Sequence, residues 1–191
     1  MEPAYKLLTV EEFFDCCPND QRHYQLIEGV IVAMAPPAGR HQIIATRLSA
    51  LLVTALDANR PGCTARSQAG IAPQGLSGRN HFETDITVTC EPGLGIKGIV
   101  TEPLLIVEIQ SPSTERDDHF VKLPDYQAIL SLLEILYIES ERVAATVYRR
   151  QADGWDAIEI SGPDARLQLA TIGVDVPLGA VYRGVPGLST A

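Results

Sequence analysis

Positive charge is scarce in this chain. Lysines and arginines number 15 against 24 aspartates and glutamates, which leaves a formal net charge of −9. Broad electrostatic binding of nucleic acid needs clustered lysine and arginine, so a basic binding surface is argued against. A compact acidic site is not, because a bound cation inverts the local field. Also lacking is any apolar run long enough to span a bilayer, so no membrane partner is expected. The opening Met1-Glu2-Pro3-Ala4-Tyr5-Lys6 has no basic region followed by an apolar one, and a cytoplasmic chain without a secretory signal is expected. The four cysteines, Cys16, Cys17, Cys63 and Cys90, follow no zinc spacing. Reduced thiols packed as small apolar residues are the expectation. There is no Gly-x-Ser-x-Gly elbow, no phosphate loop and no His-Glu-x-x-His helix, which removes three common hydrolytic or nucleotide-binding designs.

What is present suits an ordinary globular protein. With 191 residues and 46% hydrophobic content, the chain can bury a sizeable core as one domain over 1–191. Thr9-Val10-Glu11-Glu12 has capping-box spacing ahead of a short helix through Phe13, Phe14 and Cys16, which Pro18-Asn19-Asp20 stops. Tyr24 to Met34 reads as a hairpin turning at Glu28-Gly29. From His41 to Ala58, Ile44, Leu48, Leu51, Leu52 and Ala55 recur at helical spacing. Strands are expected at 64–72, around Asp85, around Glu108, and at 133–139, 144–150 and 155–160, with Asp153-Gly154 turning the last pair. Ser111-Pro112-Ser113-Thr114, with Glu115 and Asp117 following, predicts a turn into a helix that carries Val121, Lys122 and Tyr126, with Pro124 forcing a kink or late start. Short apolar pieces near Leu167 and Val176 close the chain. The fold class is α/β or α+β, helices on a mixed sheet.

Chemistry concentrates in two strands. Leu104-Leu105-Ile106-Val107-Glu108-Ile109-Gln110 is an apolar strand with one carboxylate inside it, and Thr84-Asp85-Ile86-Thr87-Val88 offers a second. Acids are seldom buried unless paired or bound to metal. A hard cation such as magnesium is held by one or two carboxylates with waters completing its shell, and a nearby lysine can offset charge on a phosphate. Asp85, Glu108 and Lys122 meet those requirements. A solvated strand face or an arginine partner for Glu108 are the simpler alternatives. His41, opening the long helix after a Pro/Gly loop, is a candidate contact to phosphate or water, or else a local polar residue. His23, His81 and His119 read as exposed.

The order Tyr24-Gln25-Leu26-Ile27-Glu28-Gly29, His41, Thr84-Asp85, Val107 to Thr114, Lys122 through Tyr126, Ile129 to Tyr137 and Val147-Tyr148-Arg149-Arg150 resembles the Uma-type restriction endonuclease family of the PD-(D/E)XK nuclease superfamily, over about residues 8–185. The resemblance implies a restriction-endonuclease-like core, a mixed sheet flanked by helices, and a Mg2+- or Mn2+-dependent endonuclease acting on DNA, with a homodimer to cut both strands. It implies Asp85 and Glu108 as metal ligands, Lys122 as the cationic helper supplied from the following helix, and Glu28 as a further acid. Gln110 stands where the superfamily has lysine, Gln25 where relatives carry glutamate, and Thr84 where proline is usual. Gln110 donates and accepts hydrogen bonds but supplies no charge. Gln25, Gln110 and the acidic net charge also suit a second reading, a catalytically weak or inactive nuclease-fold protein that self-associates or binds a partner.

Overall fold

The computed structural model describes residues 6–18, 20, 22–93, 95–111 and 118–188. Helix α1 (Val10–Cys16) begins at the expected capping box, with Thr9 accepting from the Glu12 amide and Glu12 reaching back to Thr9. Strands β1 (Tyr24–Ile27) and β2 (Val30–Ala33) form the hairpin, and Glu28 and Gly29 both take positive φ, as a two-residue primed turn demands. Helix α2 (Gly39–Asn59) buries Ile44, Leu48, Leu52 and Leu56, spaced by four so that they share one face.

Six strands make the main sheet: β3 (Thr64–Ile71), β4 (Phe82–Thr89), β5 (Pro103–Gln110), β6 (Glu134–Glu139), β7 (Ala144–Gln151) and β8 (Gly154–Ser161), in spatial order of their numbers. Only β5 and β6 run parallel. A parallel pair needs a crossover, and this one carries a π-type turn at Asp118–Lys122 and helix α3 (Leu123–Ala128). Pro124 in its first turn gives the late start. The expected turn and first-turn acids at 112–117 lie outside the described residues, as does the His119 side chain. The last hairpin turns at Ala152-Asp153, one residue earlier than the sequence suggests, because Gln151 pairs Gly154. The tail forms a hairpin, β9 (Arg166–Leu169) with β10 (Val174–Pro177), and a helical turn α4 (Gly179–Tyr182).

The sheet has two covered faces. Against α2 lie Ile86, Val88, Leu105, Val107, Leu136 and Val147. With Tyr126 of α3 cluster Phe82, Ile106, Ile135 and Tyr137. Strand side chains alternate faces, yet Phe82 and Ile86 sit on opposite faces although both are even-numbered. Strand β3 does the same, with Ala65 toward α2 and Ala69 and Ile71 toward α3. Both strands therefore slip phase together. The pairing Ser67↔Ile86 and Ala69↔Thr84 is unshifted across the slip, and Gln68 and Asp85 are the residues left unpaired within it. Gln68 adopts φ +52, and the Thr84 and Thr87 hydroxyls, three residues apart, come to 2.7 Å.

Two expectations are corrected. His81 is not exposed: at 7% accessibility it packs on the rings of Phe13 and Phe14, because α1 docks there. Cys63 and Cys90 are not free thiols but a disulfide, brought face to face where β3 and β4 begin and end. Cys16 and Cys17 remain free.

Candidate active site

Strand β5 is aliphatic enough to be buried on both faces, and Glu108 goes with it, at 4% accessibility. Its partners come from the crossover. Lys122 Nζ lies 3.1 Å from Glu108 Oε1, and the Tyr126 hydroxyl donates to the same oxygen at 2.6 Å. Lys122 and Tyr126 are one helical turn apart and so share a face. Arg150 fixes the end of that helix, donating to the carbonyls of Gln127, Ile129 and Leu132 while stacking 4.4 Å from the Trp155 ring. Among the described residues Glu108 thus pairs with a buried lysine and accepts from a buried tyrosine.

Asp85 arrives from the slip in β4. The Ile109 amide, the one between Glu108 and Gln110, donates to Asp85 Oδ2 at 2.6 Å. His41, in the first turn of α2, places Nε2 2.9 Å from Asp85 Oδ1. Burial pushes the His41 imidazole toward its neutral form. The hydrogen bond and charge of Asp85, with the charge of Glu108, outweigh this and raise its pKa above the ordinary histidine value. One imidazole therefore feels both carboxylates.

The structure joins Asp85, Glu108, Lys122 and His41 into one constellation. Gln110 follows Glu108 on the same strand face, 6% accessible. Glu28 stands elsewhere: it is exposed at the hairpin turn, its amide donating to Asn80 Oδ1 at 2.6 Å. Among the described residues no hydrogen bond or ion pair joins its carboxylate to the other four. Sequence reasoning assigned no role to Tyr126, although its spacing of four from Lys122 is a usable signal. It also passed over Asn80, which donates to Asp125 Oδ2 at 2.5 Å and ties α3 to the loop before β4.

Among the described residues no group of three or more His, Cys, Asp or Glu side chains is placed to hold a metal. Asp85 and Glu108 are carboxylates on the adjacent strands β4 and β5. No helix among those residues is long and apolar enough to cross a membrane.

A six-stranded mixed sheet flanked by helices, with two acids at the β4–β5 junction and a lysine from the crossover, is a restriction-endonuclease-like arrangement. The fold is shared with a crystal structure described as "a putative nuclease belonging to DUF820" from Anabaena variabilis ATCC 29413, at TM-score 0.72 and 18% identity, covering 92% of this chain and 98% of that one. The model of the Uma2 family, described as "Putative restriction endonuclease", matches residues 10–179, and the chain belongs to that family. It is also 29% identical over 180 residues to "Uncharacterized protein slr1290" of Synechocystis sp., covering 93% of each.

Proposed function

We propose that this chain is a divalent-metal-dependent endonuclease that hydrolyses DNA phosphodiester bonds. The observation that carries the reading is the convergence of Asp85 and Glu108, from neighbouring strands, with the Lys122 ammonium 3.1 Å from Glu108. The donor set fits Mg2+ or Mn2+, since it is built of hard carboxylate oxygens and includes no thiolate. Asp85 and Glu108 would hold the ion, which when bound polarises the phosphate and acidifies a water. The Ile109 amide fixes the Asp85 carboxylate, and Tyr126 and Lys122 fix that of Glu108. Lys122 offsets negative charge that two acids would otherwise place beside a phosphate. His41, 2.9 Å from Asp85 Oδ1, helps to orient that carboxylate. A homodimer suits cutting of both strands, and sedimentation velocity reads that directly.

Supercoiled plasmid nicking in Mn2+, alongside calorimetric titration of the metal, tests the reading. Wild-type protein is expected to bind Mn2+ and nick, and an Asp85→Ala, Glu108→Ala double variant to do neither. Nicking that survives the double substitution refutes it. A folded wild type that neither binds metal nor nicks leaves the second reading, a partner-binding module on a nuclease fold.

A further inference from the structure

The net charge of −9 is laid unevenly along the chain. Acids number 24 in 191 residues, yet residues 29–56, between Glu28 and Asp57, hold none, and neither do residues 176–191, after Asp175. Arg40, His41 and Arg47 fall in the first stretch and Arg183 in the second. The fold packs the two stretches together. Arg47 Nε donates to the Arg183 carbonyl, 136 residues on, at 3.1 Å, and the Arg40 guanidinium lies against Gly187. Arg40 and Arg47 are two helical turns apart on α2 and share a face about 10 Å long. Arg47 and Arg183 are exposed.

Cations elsewhere are mostly matched to carboxylates: Lys6 to Glu12, Arg22 to Asp20, Lys122 to Glu108, Arg149 to Glu134 and Arg166 to Asp175. In the α2 cluster Arg40 alone has such a partner, in a solvent-exposed pair with Glu141. Among the described residues no carboxylate pairs with Arg47 or Arg183. Exposed ion pairs are weak and exchange readily for another anion. Three arginines against one acid make a local positive surplus, and an anion laid along that face relieves their mutual repulsion. An open groove of about 340 Å3 there is lined by Gln42, Ile43, Thr46 and Arg47. Amide, hydroxyl and guanidinium groups are those that contact phosphate and sugar. The same helix sets His41 against Asp85 in its first turn, so the cluster borders the candidate site.

We propose that Arg40, Arg47 and Arg183 form the track on which a DNA duplex lies, holding backbone phosphates that flank the bond presented to Asp85 and Glu108. The proposal rests on the endonuclease reading and supplies the binding surface that the overall charge argues against. A charge of −9 spread evenly repels DNA; with its cations gathered along one helix and its acids elsewhere, it orients the duplex instead. Phosphate contacts carry no base information, so the track sets affinity and not target sequence. Arg60, exposed at the far end of α2 and about 20 Å along the axis from Arg47, is the control for net charge alone.

The experiment measures, on the full chain, anisotropy of two fluorescein-labelled DNA duplexes of unrelated sequence in Ca2+ over a range of salt concentrations, with plasmid nicking in Mn2+ alongside. Arg183→Gln keeps the backbone carbonyl that Arg47 uses and should melt as wild type does. It is expected to bind both duplexes about tenfold more weakly near ~0.1 M salt and to lower the slope of log K against log[salt] by about one. Adding Arg47→Gln should bring the loss to about a hundredfold and the fall in slope to about two. Nicking should weaken in step at limiting DNA and return to the wild-type rate at saturating DNA. Arg60→Gln should bind as wild type does. Equal losses for Arg60→Gln and Arg183→Gln assign the effect to overall charge and overturn the track, as does wild-type affinity with an unaltered slope in the double variant. Duplex binding without nicking by wild type refutes the endonuclease reading, while the slopes still decide the track. Absence of duplex binding by wild type overturns the track, and the metal titration still decides Asp85 and Glu108.

Discussion

Two buried glutamates on neighbouring strands make an instructive pair. Glu108 on β5 and Glu134 on β6 are 4% and 1% accessible, and each follows aliphatic residues. Glu134 is saturated by purely structural partners, with Arg149 Nε at 2.8 Å and the amides of Ala170 and Thr171 at 3.1 and 2.9 Å. It staples the β9–β10 hairpin to the sheet. Glu108 has a lysine and a tyrosine, and also a second carboxylate and an unsatisfied amide beside it. Burial of an acid in an apolar strand therefore does not distinguish a site from a staple. The company it keeps does.

The largest effect should come from Glu134→Ala, which strands a guanidinium and two amides and should cost about 3–5 kcal/mol, a fall in melting temperature on the order of 10 °C. Scanning calorimetry reads it, and nicking per folded molecule at low temperature should be unchanged; loss of nicking with an intact fold would erase the distinction. Asp85→Asn should do the reverse, slowing nicking by about 10²–10³ while the melting temperature stays close to wild type.

A third buried ionisable group, His81, has neither a staple's partners nor a site's. Its folded pKa is lowered to about 4, so the stability of the neutral form is present above the unfolded value near 6.5 and is lost as pH falls from there toward 4. Urea unfolding across that window should lose roughly 3 kcal/mol, and His81→Phe should flatten that slope. Smaller again, Tyr126→Phe removes one donor from Glu108, and about tenfold slower nicking with roughly 2 kcal/mol less stability is expected. Least of all, Gln68→Gly should stabilise by about 1 kcal/mol in thermal melts, since glycine adopts φ +52 freely.

What the sequence made legible was local or strongly periodic. The Thr9–Glu12 box, the four-residue spacing in α2, and Glu108 within its aliphatic run each carry their cause within a few residues. The candidates Asp85, Glu108, Lys122 and His41 could be picked from the residues themselves, two acids on apolar strands, a lysine on the following helix and a histidine opening the long one, and the family resemblance repeats them. What stayed hidden depended on distant packing. His81 is buried only because α1 docks on it, and the Cys63–Cys90 bond spans 27 residues and needs the β3–β4 register. No feature of the residues around Glu134 separates it from Glu108. Nothing in Gln68 announces a left-handed backbone.

The joint slip in β3 and β4 makes the site sensitive to strand length. Because the pairing is identical on both sides of it, Asp85 keeps its aim only while Gln68 stays out of line with it. A single-residue insertion or deletion in β3 would turn one half of that strand over relative to its partner and swing Asp85 away from Ile109. A lone length change near Gln68 should therefore disable a centre whose acids it leaves untouched, and a matched change in both strands should spare it.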